Sequence, residues 1–375
     1  ALKIWVNRRA SPSDLANGVG VLTLHVGFND WAVEEEQVQL EEEVWAGDVH
    51  LMAAQVVVPQ GAYEVCFVLS DGDGAFDNNN GFDFVVPVSK KLTVQAEPKR
   101  MPRQIAEVES YPLAGGTMNV VKLAPRLGSD RRAQWKEERL LRVWTPPGYN
   151  RKKVPKEGLP VVYLNDGKNL FEDHLAHQGV SWRVGEVAMS LIAEKSLPPF
   201  MVVGIDAPGA FRSMNYLPYP PGAGDGDFRP EAARWPGGGI DSYMERVVYE
   251  IIPTIAEHYG GATGRERLCF GGGSFAGVCA IYTAMKYPDV FGSILAESPS
   301  FWSAKAKFLE DMALHDGRWA ERIFLAVGTR EFSATRDYDR ADLDEKLLEY
   351  SHEAKRIMEE KGVTSGERLA YLVEE

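Results

Sequence analysis

The chain has little cysteine, a deficit of basic charge and no long apolar run. Three cysteines, Cys66, Cys269 and Cys279, occur in 375 residues. None forms a C-x-x-C pair and each sits in an apolar stretch. That pattern excludes a disulfide framework or a cysteine metal site and predicts buried thiols in a reducing compartment. No segment approaches the roughly 20 apolar residues of a membrane span. The 41 Lys and Arg against 54 Asp and Glu give a net charge of −13, which argues against nucleic acid as a main partner. No signal or transit peptide is visible at the start, and the chain opens Ala1-Leu2 without a methionine, so a segment before it is expected. What remains is ordinary for a globular protein, 45% hydrophobic and 25% charged, with a length that favours two domains.

Residues 1–90 carry strand-like runs at 2–6, 21–26, 54–59, 63–69 and 82–88, separated by turn clusters and without a helical period. They predict an all-β sandwich domain. The acidic runs at 34–36 and 41–43 read as a solvated face or as edge-strand protection. Two loops combine aromatic rings with Asn and Asp: HVGFNDW at 25–31 and SDGDGAFDNNNGFDF at 70–84. Sugars offer apolar CH faces to a ring and hydroxyls to such amides. Asp71, Asp73 and Asp77 lack the rest of an EF-hand pattern, so calcium is not expected. On these two runs residues 1–90 resemble the starch-binding carbohydrate-binding modules of amylases and starch synthases. The resemblance implies an α-glucan site lined by His25, Trp31, Phe76, Asn79 and Asn80. It places Phe76 where that family usually has tryptophan, a smaller stacking face with no N–H.

Residues 91–112, polar, basic and proline-bearing, read as a linker. From 113 to 375 the pattern changes. Two early strands at 118–123 and 139–145 precede apolar runs at 160–164, 200–205, 267–270, 293–296 and 323–327, which alternate with helical stretches at 184–194, 240–259, 275–287 and 343–361. Buried strands alternating with amphipathic helices predict an α/β fold, a mostly parallel sheet with helices on both faces. One stretch organises it: LCFGGGSFAG at 268–277. A strand, a sharp turn, one serine and a helix make the context of a nucleophile elbow at Ser274. Gly272 and Ala276 supply the small residues that such a turn needs two positions away.

Several motifs in order, PPGY at 146–149, YLNDGKNLF at 163–171, VGID at 203–206, GGSFAG at 272–277 and SPSFW at 298–302, resemble the α/β-hydrolase esterases of the enterochelin-esterase and esterase D type. A serine needs a base, an orienting acid and an oxyanion hole. The N–H of Phe275 is one expected oxyanion donor, and the resemblance points to the N–H of Lys168 for the other, with Phe301 and Trp302 walling the substrate pocket. Glu331, in the loop after the run at 323–327, is the first candidate for the acid, with Asp337 and Asp339 as alternatives. The base is not evident. His315 and His352 follow Ser274 but read as surface residues, His174 and His177 precede it without a third metal ligand, and the sequence stops at Glu375 where the resemblance expects the histidine. The glycine- and proline-rich segment 207–239, with Tyr216, Tyr219, Phe228 and Trp235, reads as a rim over the site or a surface for a protein partner. The expectation is an α-glucan-binding serine esterase acting on a carboxylic ester, without cofactor or metal. The alternative is a catalytically inactive hydrolase-fold scaffold. A plastid location follows if the glucan is starch in a photosynthetic cell.

Overall fold

The computed structural model describes residues 2–7, 21–28, 33–46, 49–59, 64–71, 76–77, 84–87, 102–124, 138–208, 212–219, 237–332 and 341–375. The chain divides into two compact units, the first spanning Ala1–Lys99 and the second holding the described residues from 102 onward.

The first unit contains β1 (Leu2–Asn7), β2 (Thr23–Phe28), β3 (Val33–Gln39), β4 (Glu42–Ala46), β5 (Val49–Val56), β6 (Glu64–Ser70), β7 (Phe76–Asp77) and β8 (Phe84–Pro87). They pair antiparallel in two sheets, β1-β5-β4 and β3-β2-β6-β7, with β8 also on β6. Alternation along the strands sends Ile4, Met52 and Val56 from one sheet and Leu24, Val26, Val65, Phe67 and Leu69 from the other into a single core. The acidic run at 34–36 lies within β3, and the one at 41–43 leads into β4, which begins at Glu42. His25 lies half-buried on β2. Trp31, Asn79, Asn80 and the side chain of Phe76 lie outside the described residues.

The second unit is built on one nine-stranded sheet. Its strands are β9 (Ile105–Leu113), β10 (Gly116–Leu123), β11 (Arg139–Thr145), β12 (Val161–Asn165), β13 (Met201–Ile205), β14 (Leu268–Gly273), β15 (Ser293–Glu297), β16 (Arg322–Gly328) and β17 (Leu369–Glu374). The spatial order is β9-β10-β11-β13-β12-β14-β15-β16-β17. The first three strands and the β11–β13 pair are antiparallel, and the rest are parallel. The linker expected at 91–112 is corrected by β9, which takes its last eight residues. β9 pairs with β10 through a two-residue turn at Ala114 and Gly115, both at positive φ (46° and 74°), the geometry that tight hairpins favour. Most of β9 is exposed, so this edge strand carries little of the apolar alternation by which a strand is read.

The helices are α1 (Val184–Ala193), α2 (Arg212–Tyr216), α3 (Ile240–Arg246), α4 (Ile252–Tyr259), α5 (Phe275–Lys286), α6 (Lys307–Leu314) and α7 (Ala341–Glu360). Neighbouring residues of β13 go to opposite faces of the sheet. Met201 joins the large core shared with α3 to α7, while Val202 joins the smaller one with Ala188 of α1. The helix expected at 240–259 is interrupted by a π turn over Val247–Ile251. Pro253 accounts for the interruption, because it has no N–H for the carbonyl four residues back and its ring crowds that carbonyl. Of the twelve residues of α5 all but Lys286 are buried. At about 1.5–3 kcal/mol for each large apolar side chain, that burial fixes the helix to the sheet and with it the turn that precedes it.

Candidate active site

Ser274 joins the C-terminal end of β14 to the first residue of α5, and its side chain is exposed. Its backbone sits at φ 61°, ψ −123°, a region that costs a non-glycine residue on the order of 1–3 kcal/mol. Surrounding hydrogen bonds hold it there. The Ser274 N–H donates to the Glu297 carbonyl at 2.9 Å, and the Ser274 carbonyl accepts from Gly277 at 3.0 Å and from Ser300 at 3.1 Å. A Cβ on Gly272 would stand 2.6 Å from the Cβ of Ala276 and 3.2 Å from that of Asn165. The small pair expected from sequence is therefore a steric requirement of the turn. A Cβ on Gly277 would meet Pro299 and the Glu297 carbonyl at 3.0 and 3.1 Å, so this glycine admits the loop after β15.

Phe275 opens α5, where N–H groups point beyond the helix start. Lys168 lies in a single 3₁₀ turn, Gly167–Asn169, immediately after β12. β12 and β14 are neighbours in register, so both expected oxyanion donors sit at the C-terminal edge of adjacent strands, where open α/β sheets carry their sites. The turn is set from below. A Cβ on Gly167 would be 2.4 Å from Asp206 Oδ1. Asp206 is buried and held by Arg142 through two bonds, Nε to Oδ1 at 2.9 Å and Nη2 to Oδ2 at 3.1 Å. Burial pushes the Asp206 carboxyl up and the Arg142 guanidinium pulls it back, leaving it above the usual carboxylate value.

Glu331 follows β16, half-buried, and its Oε1 accepts from the Gly328 N–H at 2.9 Å and from the Ser298 hydroxyl. Asp337 and Asp339 lie outside the described residues. Glu297, at the end of β15, carries a carboxyl raised by burial and then by the negative charges of Glu374 and Glu331. A carboxyl raised in the folded state binds its proton more tightly there, so its contribution to stability is present at low pH and is lost as pH rises through the folded value. Glu297→Gln is therefore expected to raise the melting temperature at pH 7 and to make no difference near pH 4. Thermal unfolding of both proteins across that range checks this.

Among the described residues the partner of Ser274 Oγ is the buried Ser300, Oγ to Oγ 3.1 Å, and no imidazole. His258 bonds the Arg103 carbonyl, His315 stands edge-on to Trp319, and His352 edge-on to Tyr371. His174 and His177 are exposed on the loop after the Lys168 turn. The pocket expected from Phe301 and Trp302 is corrected. Phe301 is 0% exposed and stacks on Phe308, and Trp302 is 3% exposed against the Phe275 ring. Both belong to the large core of the second unit. In the rim segment, Tyr216 is buried and Tyr219 bonds Asp311 on α6, while Phe228 and Trp235 lie outside the described residues.

Two side chains at the site escape sequence reasoning. Trp182 is 41% exposed and its ring edge lies 3.0 Å from where a Cβ on Gly273 would be. It also borders a cavity of about 690 Å³ shared with Leu164, Val184 and Leu295. Arg212, at the start of α2, makes a bidentate ion pair with Asp166. A tryptophan in SWR and an arginine in FRS have no spacing that points at a serine.

With this geometry in view, the likenesses to known proteins fall into place. The chain is 24% identical over 223 residues to the Bacillus subtilis uncharacterized protein YbbA, covering 59% of this chain and 78% of that protein. It is 27% identical over 207 residues to the iron(III) enterobactin esterase of Escherichia coli O6:H1, covering 52% of this chain but only 44% of that enzyme. Among solved structures it is similar to the BES protein of Bacillus cereus, with a TM-score of 0.48 at 19% identity over 72% of this chain and 91% of the other. The Esterase family model matches residues 133–366, taking in β11 through α7, both expected oxyanion donors, Ser274 and Glu331. The chain belongs to the esterase family.

Proposed function

We propose that this protein hydrolyses a carboxylic ester through an acyl-enzyme formed on Ser274. The observation that carries the reading is the exposed Ser274 hydroxyl on a strained turn at the C-terminal edge of the sheet, with Phe275 opening α5 behind it and the Lys168 turn beside it. A serine attacking from there would place the developing oxyanion toward those two amides, and Glu331 after β16 stands as the acid of the constellation. Intact-protein mass spectrometry after treatment with a fluorophosphonate tests this. A single adduct on the wild type that is absent from Ser274→Ala supports an activated serine.

A second reading is favoured by one observation: Ser274 meets Ser300 and no described imidazole. It makes the chain a non-catalytic member of the family, and the absence of any adduct both on this chain and on a protein extended beyond Glu375 decides for it. For the first unit we propose α-glucan contact, a reading that rests on the FDNNNGFDF run and on His25. Retention on insoluble starch, lost when Asn79 and Asn80 are replaced by alanine, tests it separately.

A further inference from the structure

Resting on the esterase reading, we propose that Arg212 is a positioning residue that keeps the two oxyanion amides in register, and that it does so through the geometry of its guanidinium and not through its charge. One planar group touches every segment that carries the oxyanion hole. Its Nε and Nη2 each lie 2.7 Å from an oxygen of Asp166, the residue immediately before the Gly167–Asn169 turn. The same Nη2 reaches the Gly273 carbonyl at 3.4 Å, on the peptide that leads into Ser274. The guanidinium carbon lies 5.6 Å from the centre of the Phe275 ring and 5.3 Å from that of the Tyr216 ring, within cation–π range. Arg212 therefore bridges the end of β12 to the end of β14 and makes a cation–π contact with the residue whose N–H is the other expected oxyanion donor.

The bridge answers a local need. Asp166 holds a left-handed backbone, φ 56°, ψ 47°, which costs a residue with a Cβ about 1–2 kcal/mol. Its side chain gives the following turn no capping bond, because both carboxylate oxygens face Arg212. Its N–H donates to the Tyr216 hydroxyl at 3.3 Å, so α2 contacts Asp166 twice. Burial lowers the Arg212 pKa, but the Asp166 hydrogen bonds and charge outweigh it and hold the group above its ordinary value. Nε and Nη2 are engaged by Asp166 and Gly273, and the split between kcat and KM in the test below separates a positioning role from substrate binding. Lysine, a point charge on a flexible stem, cannot span the same four partners.

The test compares wild type, Arg212→Lys, Arg212→Ala and Asp166→Asn on p-nitrophenyl acetate. Arg212→Ala is expected to lose roughly a hundredfold in kcat, the scale of a 1 Å misplacement at a reacting centre, with KM unchanged. Arg212→Lys is expected to remain impaired, and millimolar guanidinium is expected to restore Arg212→Ala while leaving the other proteins as they were. Asp166→Asn combined with Arg212→Ala is expected to be no worse than either alone, since both break one bridge. Wild-type kcat in Arg212→Ala, or full activity in Arg212→Lys, overturns the proposal. If the wild type is inert to both the ester and the fluorophosphonate, the esterase reading fails on its own. The bridge is then judged by amide hydrogen exchange in peptides covering 166–170 and 273–277. Exchange that quickens in Arg212→Ala and recovers with guanidinium supports it, and unchanged exchange overturns it.

Discussion

Arg142→Met is expected to destabilise the second unit by about 3–5 kcal/mol, the penalty for stranding a buried charge whose partner has been removed. Arg142 and Asp206 are 6% and 4% exposed and meet through two parallel bonds. Taking away the guanidinium leaves a buried carboxylate to the weaker influence of the Lys168 and Arg139 charges. Urea unfolding of wild type and variant, followed on the tryptophans of the second unit, measures the loss. Adding Asp206→Leu to the same protein is expected to recover most of it, because an apolar pair of similar volume costs little where a half-pair costs much. A single variant within about 1 kcal/mol of wild type would mean that the pair is solvated after all. Asp206 also abuts Gly167, so the single variant should lose Ser274 reactivity at urea concentrations well below its unfolding midpoint.

The second large effect is at Gly272. Gly272→Ala inserts a methyl 2.6 Å from the Ala276 Cβ, between a buried helix and the end of β12. Neither neighbour is the end of a flexible side chain, so the turn itself must open. We expect the rate of fluorophosphonate labelling at Ser274 to fall by roughly a hundredfold, as for other small displacements of a reacting group, while overpacking costs about 1–3 kcal/mol of stability. The decisive protein is the double variant with Ala276→Gly, which empties the space that the new methyl needs. Recovery of labelling in the double variant confirms a steric cause. A labelling rate in Gly272→Ala equal to wild type would show that the turn has slack.

These two sites show what a sequence can and cannot carry. Gly272, Ser274 and Ala276 are legible because the elbow is local: its requirement is written within five residues, between an apolar strand and an apolar helix. The parallel strands β12 to β16 are legible for a related reason, since burial on both faces leaves apolar runs. β9 is not, because an edge strand exposed along most of its length keeps its charges. The eight-residue α6 and the five-residue α2 are too short to show a period. Arg212 and Asp166 lie 46 positions apart, and no periodicity relates them; only the fold brings the guanidinium to the oxyanion turn. Phe301 and Trp302 illustrate the converse. Aromatic residues beside a site motif suggest a pocket, and packing decides that they face Phe308 and Phe275 instead.

The π turn at Val247–Ile251 sets how this helix tolerates changes in length. A π turn holds one residue more than the α-helix around it. Deleting a single residue there would regularise the hydrogen-bond ladder and leave the downstream helix facing nearly the same way. The π turn uses one extra residue to cover roughly the arc that four residues cover in an α-helix at about 100° each. Ile252 and Ile255, now buried in the large core, would stay turned toward it, and His258 would keep its place beside the Arg103 carbonyl. The π turn is thus where the helix absorbs a surplus residue, just ahead of Pro253 in α4, without changing the face that its second half buries. A single-residue deletion within Val247–Ile251 should therefore be tolerated better than one in the regular turns of α3 or α4, where it would rotate the downstream residues by about 100°.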